Sequence, residues 1–354
     1  MVQRKRSAPR ARTRADLTIL AIVGVLLIAA IGAGGLSLYR QFYGPAAFVE
    51  RYLGLLEDGR AADALLLPGV GIDRETLAGA GIDSTASDAL LRGSALASLE
   101  DYTVTKQEAT DDGTAVTVEY TAGGHHGSST FTIVQDGWVG VVPNWRFADT
   151  PLADVQLLVQ GSDQFSVNGF TLDRRQIAPG GVESDPTTPV DMLVFTPGAY
   201  SVTIDTPLAT SSGVKLLADT PLATTPIEVK AEATDEFLDV VQTRVEQFLN
   251  DCAEQEVLQP TGCPFGLEVD NYVQGYPTWK ISKQPKVSVE PTATGWEIPT
   301  AKATAHISVD VISIFDGSVE TLEEDVPFEI NGTIAVLPDG SASIRVGSPE
   351  EDED

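Results

Sequence analysis

The chain has 354 residues, with 23 Lys+Arg against 51 Asp+Glu and a formal net charge of −28. A surface of that sign repels nucleic acid and anionic lipid headgroups, and it favours cations and basic partners. The length is enough for two or three domains, each with its own core.

Charge is unevenly placed. Residues 1–16 hold six basic side chains (Arg4, Lys5, Arg6, Arg10, Arg12 and Arg14) and one acid, Asp16, leaving 17 basic against 50 acidic in residues 17–354. Leu17–Leu38 is a run of 22 residues without a charge. At a rise of about 1.5 Å per residue it covers roughly 33 Å, against a hydrocarbon core of about 30 Å. It exceeds the apolar core of a cleaved signal peptide, about 7–15 residues. The pattern predicts a basic cytoplasmic tail over 1–16 and a transmembrane helix over 17–38 in contact with the lipid bilayer. The expected location is the plasma membrane, single-pass, with the N-terminus cytoplasmic and all that follows extracytoplasmic.

Residues 39–150 begin with helical spacing. Pro45 suits a first helical turn, and Phe48, Tyr52, Leu55 and Leu56 recur on one face before Asp58-Gly59 breaks the pattern. A second short helix is expected over Arg60–Leu67 and another over Ala86–Leu99. From Tyr102 the period changes to two, with Val116, Val118 and Tyr120 on one face. Asp112-Gly113 and Asp136-Gly137 read as hairpin turns, giving four antiparallel strands that end at Phe147.

Residues 151–230 are rich in Thr, Pro and Val, with turns at Asn168-Gly169 and Thr196-Pro197-Gly198. Asp-Thr-Pro-Leu-Ala occurs at 149–153, 205–209 and 219–223. Proline within such runs places them at strand ends or edges. A small all-β domain is expected.

Residues 231–347 repeat the first order of elements. Phe237, Val241, Val245 and Phe248 form a helical stripe over 234–250, and strands follow, with turns at Asp316-Gly317, Asn331-Gly332 and Asp339-Gly340. Between them lie Cys252 and Cys263, with no zinc-ligand partners nearby, and a local disulfide is the expected chemistry. The acidic run 348–354 reads as a disordered tail.

Phe48-Val49-Glu50-Arg51-Tyr52-Leu53, then Leu56-Glu57-Asp58-Gly59-Arg60-Ala61-Ala62-Asp63-Ala64-Leu65, with the strand ends Asp136-Gly137-Trp138 and Trp145-Arg146-Phe147, resemble the NTF2-like superfamily. The segment around Val167-Asn168-Gly169 and Thr196-Pro197-Gly198-Ala199-Tyr200-Ser201-Val202 looks like small β modules of exported proteins. The whole layout resembles single-pass Gram-positive, actinobacterial-type envelope proteins with extracytoplasmic NTF2-like domains. The resemblance implies an α+β fold: a transmembrane helix, then two NTF2-like helix-plus-curved-sheet units, 39–150 and 231–347, flanking the β domain 151–230.

Chemistry is sparse. The superfamily includes enzymes with a pocket acid or base inside the sheet, and the candidates here are Asp63, Tyr102, Glu119 and Tyr120 in the first unit. In the second they are Tyr272, Tyr276, His306 and Asp310. No pair has a spacing that defines a catalytic constellation. His125-His126 sits in a Gly-rich hairpin tip, where adjacent side chains point to opposite sides and share one metal poorly. The expectation is therefore a membrane-anchored extracytoplasmic binding or scaffold protein of the cell envelope, with no catalytic residue, cofactor or metal and with an unknown envelope protein or ligand as partner. The alternative is an exported NTF2-like enzyme acting on a small apolar substrate.

Overall fold

The computed structural model describes Ile22, Val23, Val25, Tyr39, residues 41–337 and residues 342–347. The first region opens with α1 (Pro45–Glu57), which starts on its proline and buries Phe48, Val49, Tyr52, Leu53 and Leu56. Two shorter helices follow, α2 (Ala61–Leu65) and α3 (Arg74–Gly79). An antiparallel meander comes next: β1 (Leu99–Thr110), β2 (Gly113–Ala122), β3 (His125–Val139) and β4 (Val142–Phe147), hydrogen-bonded in that order. Tyr52 packs edge-on to Phe147, with ring centroids 5.1 Å apart, and Phe131 to Phe147 at 5.6 Å. These rings fill the face of the sheet that α1 covers.

The middle region is a β-sandwich. One sheet has the order β12-β5-β8, where β5 (Leu152–Gln160) runs antiparallel to β8 (Val190–Phe195) and parallel to β12 (Thr224–Lys230). The other has the order β11-β9-β6-β7, from β6 (Gln164–Val167), β7 (Phe170–Asp173), β9 (Gly198–Thr203) and β11 (Val214–Ala218). A short helix, α4 (Arg174–Ile177), follows β7, and β10 (Ala209–Thr210) pairs with β13 (Glu232–Ala233). The expected turns at Asn168 and Thr196 join β6 to β7 and β8 to β9.

The last region has one long helix, α5 (Asp235–Ala253), whose N-cap Thr234 accepts from the Phe237 amide. Its stripe buries Phe237, Val241, Val245, Leu249 and Cys252. The sheet beneath it forms a half-barrel: β14 (Tyr272–Lys283), β15 (Glu290–Thr292), β16 (Gly295–Ile312), β17 (Val319–Val336) and β18 (Ala342–Gly347). Alternation along β16 turns Ala303, Ala305, Ile307 and Val309 inward. Phe237 meets Trp296 edge-on at 5.5 Å, so the helix fills the concave face.

The described residues form two hydrophobic cores. One joins α1–α3 and β1–β4 to Leu152, Leu193 and Phe195 of the sandwich. The other joins the inner faces of the sandwich to α5 and the half-barrel. The sheet β12-β5-β8 belongs to both, because its two faces are buried against different neighbours.

Several expectations are corrected. The α+β class with two NTF2-like units flanking a β domain gives way to a mostly β protein, 48% strand and 20% helix among the described residues. One reason is the expected helix over 86–99. Its Ser87 amide donates to the Asp191 carbonyl and its carbonyl accepts from the Leu193 amide, both at 2.8 Å, so this segment joins the open edge of β8 instead. A second is that two expected turns are strand interior. Asp136-Gly137 forms a bulge inside β3, between Gln135 and Trp138. Asn331-Gly332 lies within β17, where a side chain on Gly332 would meet the Arg345 carbonyl at 2.5 Å.

The transmembrane, single-pass placement is corrected as well. Among the described residues no helix is long and apolar enough to cross a membrane. Of 17–38, only Ile22, Val23 and Val25 are described; they are helical and exposed. The remainder of that expectation, the basic tail 1–16, the turn at Asp339-Gly340 and the acidic tail 348–354 lie outside the described residues.

Candidate functional site

The structure disperses the candidate acids and bases. Asp63 is an exposed partner of Arg60 at 2.8 Å. Tyr102 is half-buried, and burial followed by the Glu57 carboxylate raises its hydroxyl above the ordinary value. Glu119 is exposed, whereas Tyr120 is buried and accepts from Ser129 Oγ at 3.4 Å. Tyr272 and Tyr276 are exposed on β14. His306 Nδ1 lies 2.9 Å from Asp325 Oδ1, and Asp310 accepts from Thr321 Oγ1 at 2.7 Å. Both belong to the outward set of β16, opposite the buried Ala305 and Ile307. No nucleophile, base and orienting group come together among them.

His125 and His126 open β3, and His126 Nδ1 sits 2.9 Å from Thr121 Oγ1. They line a shallow recess of about 270 Å³ with Asn168, Tyr200 and Lys215. Among the described residues no three His, Cys, Asp or Glu side chains converge as a metal cage.

Cys252 at the end of α5 is bonded to Cys263, with Cα atoms 5.8 Å apart. The bridge pins the loop after the helix against the half-barrel, where Phe265 packs on Trp279 and Phe328.

A polar cleft that carries two arginines lies between the sandwich and the half-barrel. It is a cleft of about 220 Å³ bordered by Ser162 and Asp163, by Arg174 and Arg175 of α4, by Ser184, and by Thr294. Gly161 forms its back wall with φ +81°, and a side chain there would meet Pro291 Cβ at 2.7 Å. Asp173 caps α4 by accepting from the Arg175 amide at 2.9 Å. It also accepts from Arg175 Nε and Nη2 at 2.9 and 2.6 Å. This guanidinium holds the Asp173 carboxyl below the usual carboxylate range. Asp163 Oδ2 lies 3.5 Å from the same guanidinium. Arg175 is thus neutralised by its neighbours.

Arg174 is not. Only 5% exposed, it donates to the neutral Asp185 carbonyl and takes part in no ion pair among the described residues. Sequence reasoning passed over it. The available signal was a pair of adjacent arginines, straight after an aspartate, in a chain of −28.

A second group that was passed over is Asp154 on β5 with Asp191 on β8. Burial first, and then the neighbouring Asp191 charge, raise the Asp154 carboxyl to about 6. Its signal was an acid inside an apolar run, Leu152-Ala153-Asp154-Val155, where the strand pattern gives it nowhere polar to go.

Comparison with protein families, characterised proteins and solved structures finds no match to this chain.

Proposed function

We propose that this chain is a non-enzymatic binding protein whose inter-sheet cleft receives an anionic group of its ligand. The observation that carries the reading is Arg174: a buried guanidinium on the wall of a cleft, in no ion pair among the described residues and with only the exposed Asp185 carboxylate in its field. A buried charge is costly without a counter-charge, and a planar guanidinium suits carboxylate or phosphate oxygens. Ser184 and Thr294 add hydroxyls around the same space, whereas the Ser162 hydroxyl donates to the Gln164 carbonyl at 2.8 Å. A volume of about 220 Å³ suits one small charged group rather than a whole cofactor. Against catalysis stand the dispersed acids and bases, and the two sheets whose covered faces are packed with their own side chains.

The test is calorimetric titration of the full chain with inorganic phosphate and with citrate, at constant ionic strength. Saturable binding of either anion in the wild type, lost in Arg174→Met, supports the reading. Absence of saturable binding, or equal binding by the variant, overturns it. If Arg174→Met does not fold, Ser184→Ala with Thr294→Val removes two hydroxyls from the same wall, and undiminished binding in that variant overturns it too.

A further inference from the structure

We propose that Asp154 and Asp191 hold a hard divalent cation, of the calcium or magnesium class, between the sheet β12-β5-β8 and the loop that carries Asp83. The two carboxylates share one face of the sheet: Asp154 is paired with Leu193, and Asp191 with Gln156, so they are diagonal neighbours across adjacent strands. Asp154 is 1% exposed, and Asp191 is half-buried. Neither Asp154 oxygen, nor Oδ1 of Asp191, has a partner of good hydrogen-bond geometry among the described residues, and the Thr224 hydroxyl and Met192 amide near Asp154 offset only part of the effect of its burial.

Buried carboxylate oxygens normally have partners, and three orphans in one place mark an absent counter-charge. The described residues supply none within ion-pair distance of either aspartate. The guanidinium of Arg74 reaches this loop but donates to the Ala86 carbonyl, at 2.9 Å. Asp83 adds a further negative charge, while its carboxylate is engaged by the Thr85 amide and hydroxyl.

Oxygen donors of this kind select hard cations. Thr224 lies beside Asp154 in the parallel register of β12, which puts its hydroxyl on the same face. No third carboxylate, His or Cys completes the cage among the described residues. Water must fill the remaining positions, and the site belongs to the weak class, with a dissociation constant of about 10⁻⁴–10⁻³ M. The segment next to the site is the one that adds to the β8 edge, so a bound cation would clamp the first region onto the sandwich. This inference is independent of the Arg174 cleft.

The experiment is thermal unfolding of the full chain after chelator treatment and dialysis, at pH 7.5, with CaCl₂ and MgCl₂ titrated against KCl of matched ionic strength. The midpoint should rise saturably with one of the divalent salts in the wild type and in Glu119→Gln, a control at an exposed acid outside both sites. The rise should be lost in Asp154→Asn. A wild type that responds no more than to KCl overturns the proposal, as does an equal rise in Asp154→Asn. If Asp154→Asn does not fold, calorimetric titration of Asp191→Asn with CaCl₂ and MgCl₂ decides in its place, and wild-type affinity in that variant overturns the proposal.

Discussion

The Tyr52 hydroxyl donates to the Thr196 carbonyl across 2.8 Å, although the two residues are 144 positions apart. Tyr52 comes from the first helix and Thr196 from the turn that ends β8. Both are fully buried, and Thr196 Oγ1 in turn donates to the Pro151 carbonyl at 2.9 Å. A single phenol thereby ties the helical region to the sandwich through a buried interface.

Removing only that hydroxyl tests the tie. Tyr52→Phe keeps the ring against Phe131 and Phe147 but leaves a buried carbonyl short of a donor, at a cost of about 1–3 kcal/mol. Urea unfolding of the purified chain measures it. Unchanged stability would show that the bond contributes nothing net.

The cysteine bridge closes a short loop at the end of α5. In the chain-entropy picture such a loop is worth up to about 3 kcal/mol. Peptide mapping without reductant should recover Cys252 and Cys263 joined, and the double change to Ala should lower the unfolding midpoint. Two freely alkylated thiols in fresh protein would contradict the bond.

Acid stability should carry the signature of Asp173. Its native carboxyl is held below the usual range by Arg175, so the unfolded chain binds more protons in mildly acid solution. The contribution is complete above the unfolded value of about 3.9 and disappears as pH falls through the lower native value. Asp173→Asn can still cap α4 but lacks the charge. The variant should be less stable than wild type near neutrality, with the gap narrowing below about pH 4. Chemical unfolding at a series of pH values reads the gap; a gap that does not change with pH would mean that the ion pair is not its source.

The half-barrel depends on Phe237. Truncation to Ala empties the space beside Trp296 and should cost about 3–5 kcal/mol, typical of a buried Phe. Differential scanning calorimetry should show a lower midpoint, and indole fluorescence should shift as water reaches Trp296. A change confined to less than about 1 kcal/mol would mean that α5 is not seated as described.

Local sequence determined those features that depend on near neighbours. The stripe of α5, the proline at the start of α1, the Asn168-Gly169 and Asp316-Gly317 turns and the proximity of the two cysteines all follow from periodicity and turn chemistry within a few residues. Tertiary structure decided the features that depend on a distant partner. Residues 86–99 look helical by themselves, yet Ser87 completes the edge of a strand a hundred residues away. Gly332 signals a turn, yet it sits where β18 passes too close for a side chain. The charges behave likewise. Arg174, Asp154 and Asp191 are ordinary polar residues in the linear chain, and stand out as candidates only because long-range packing buries Arg174 and Asp154 and half-buries Asp191 with no ion-pair partner among the described residues.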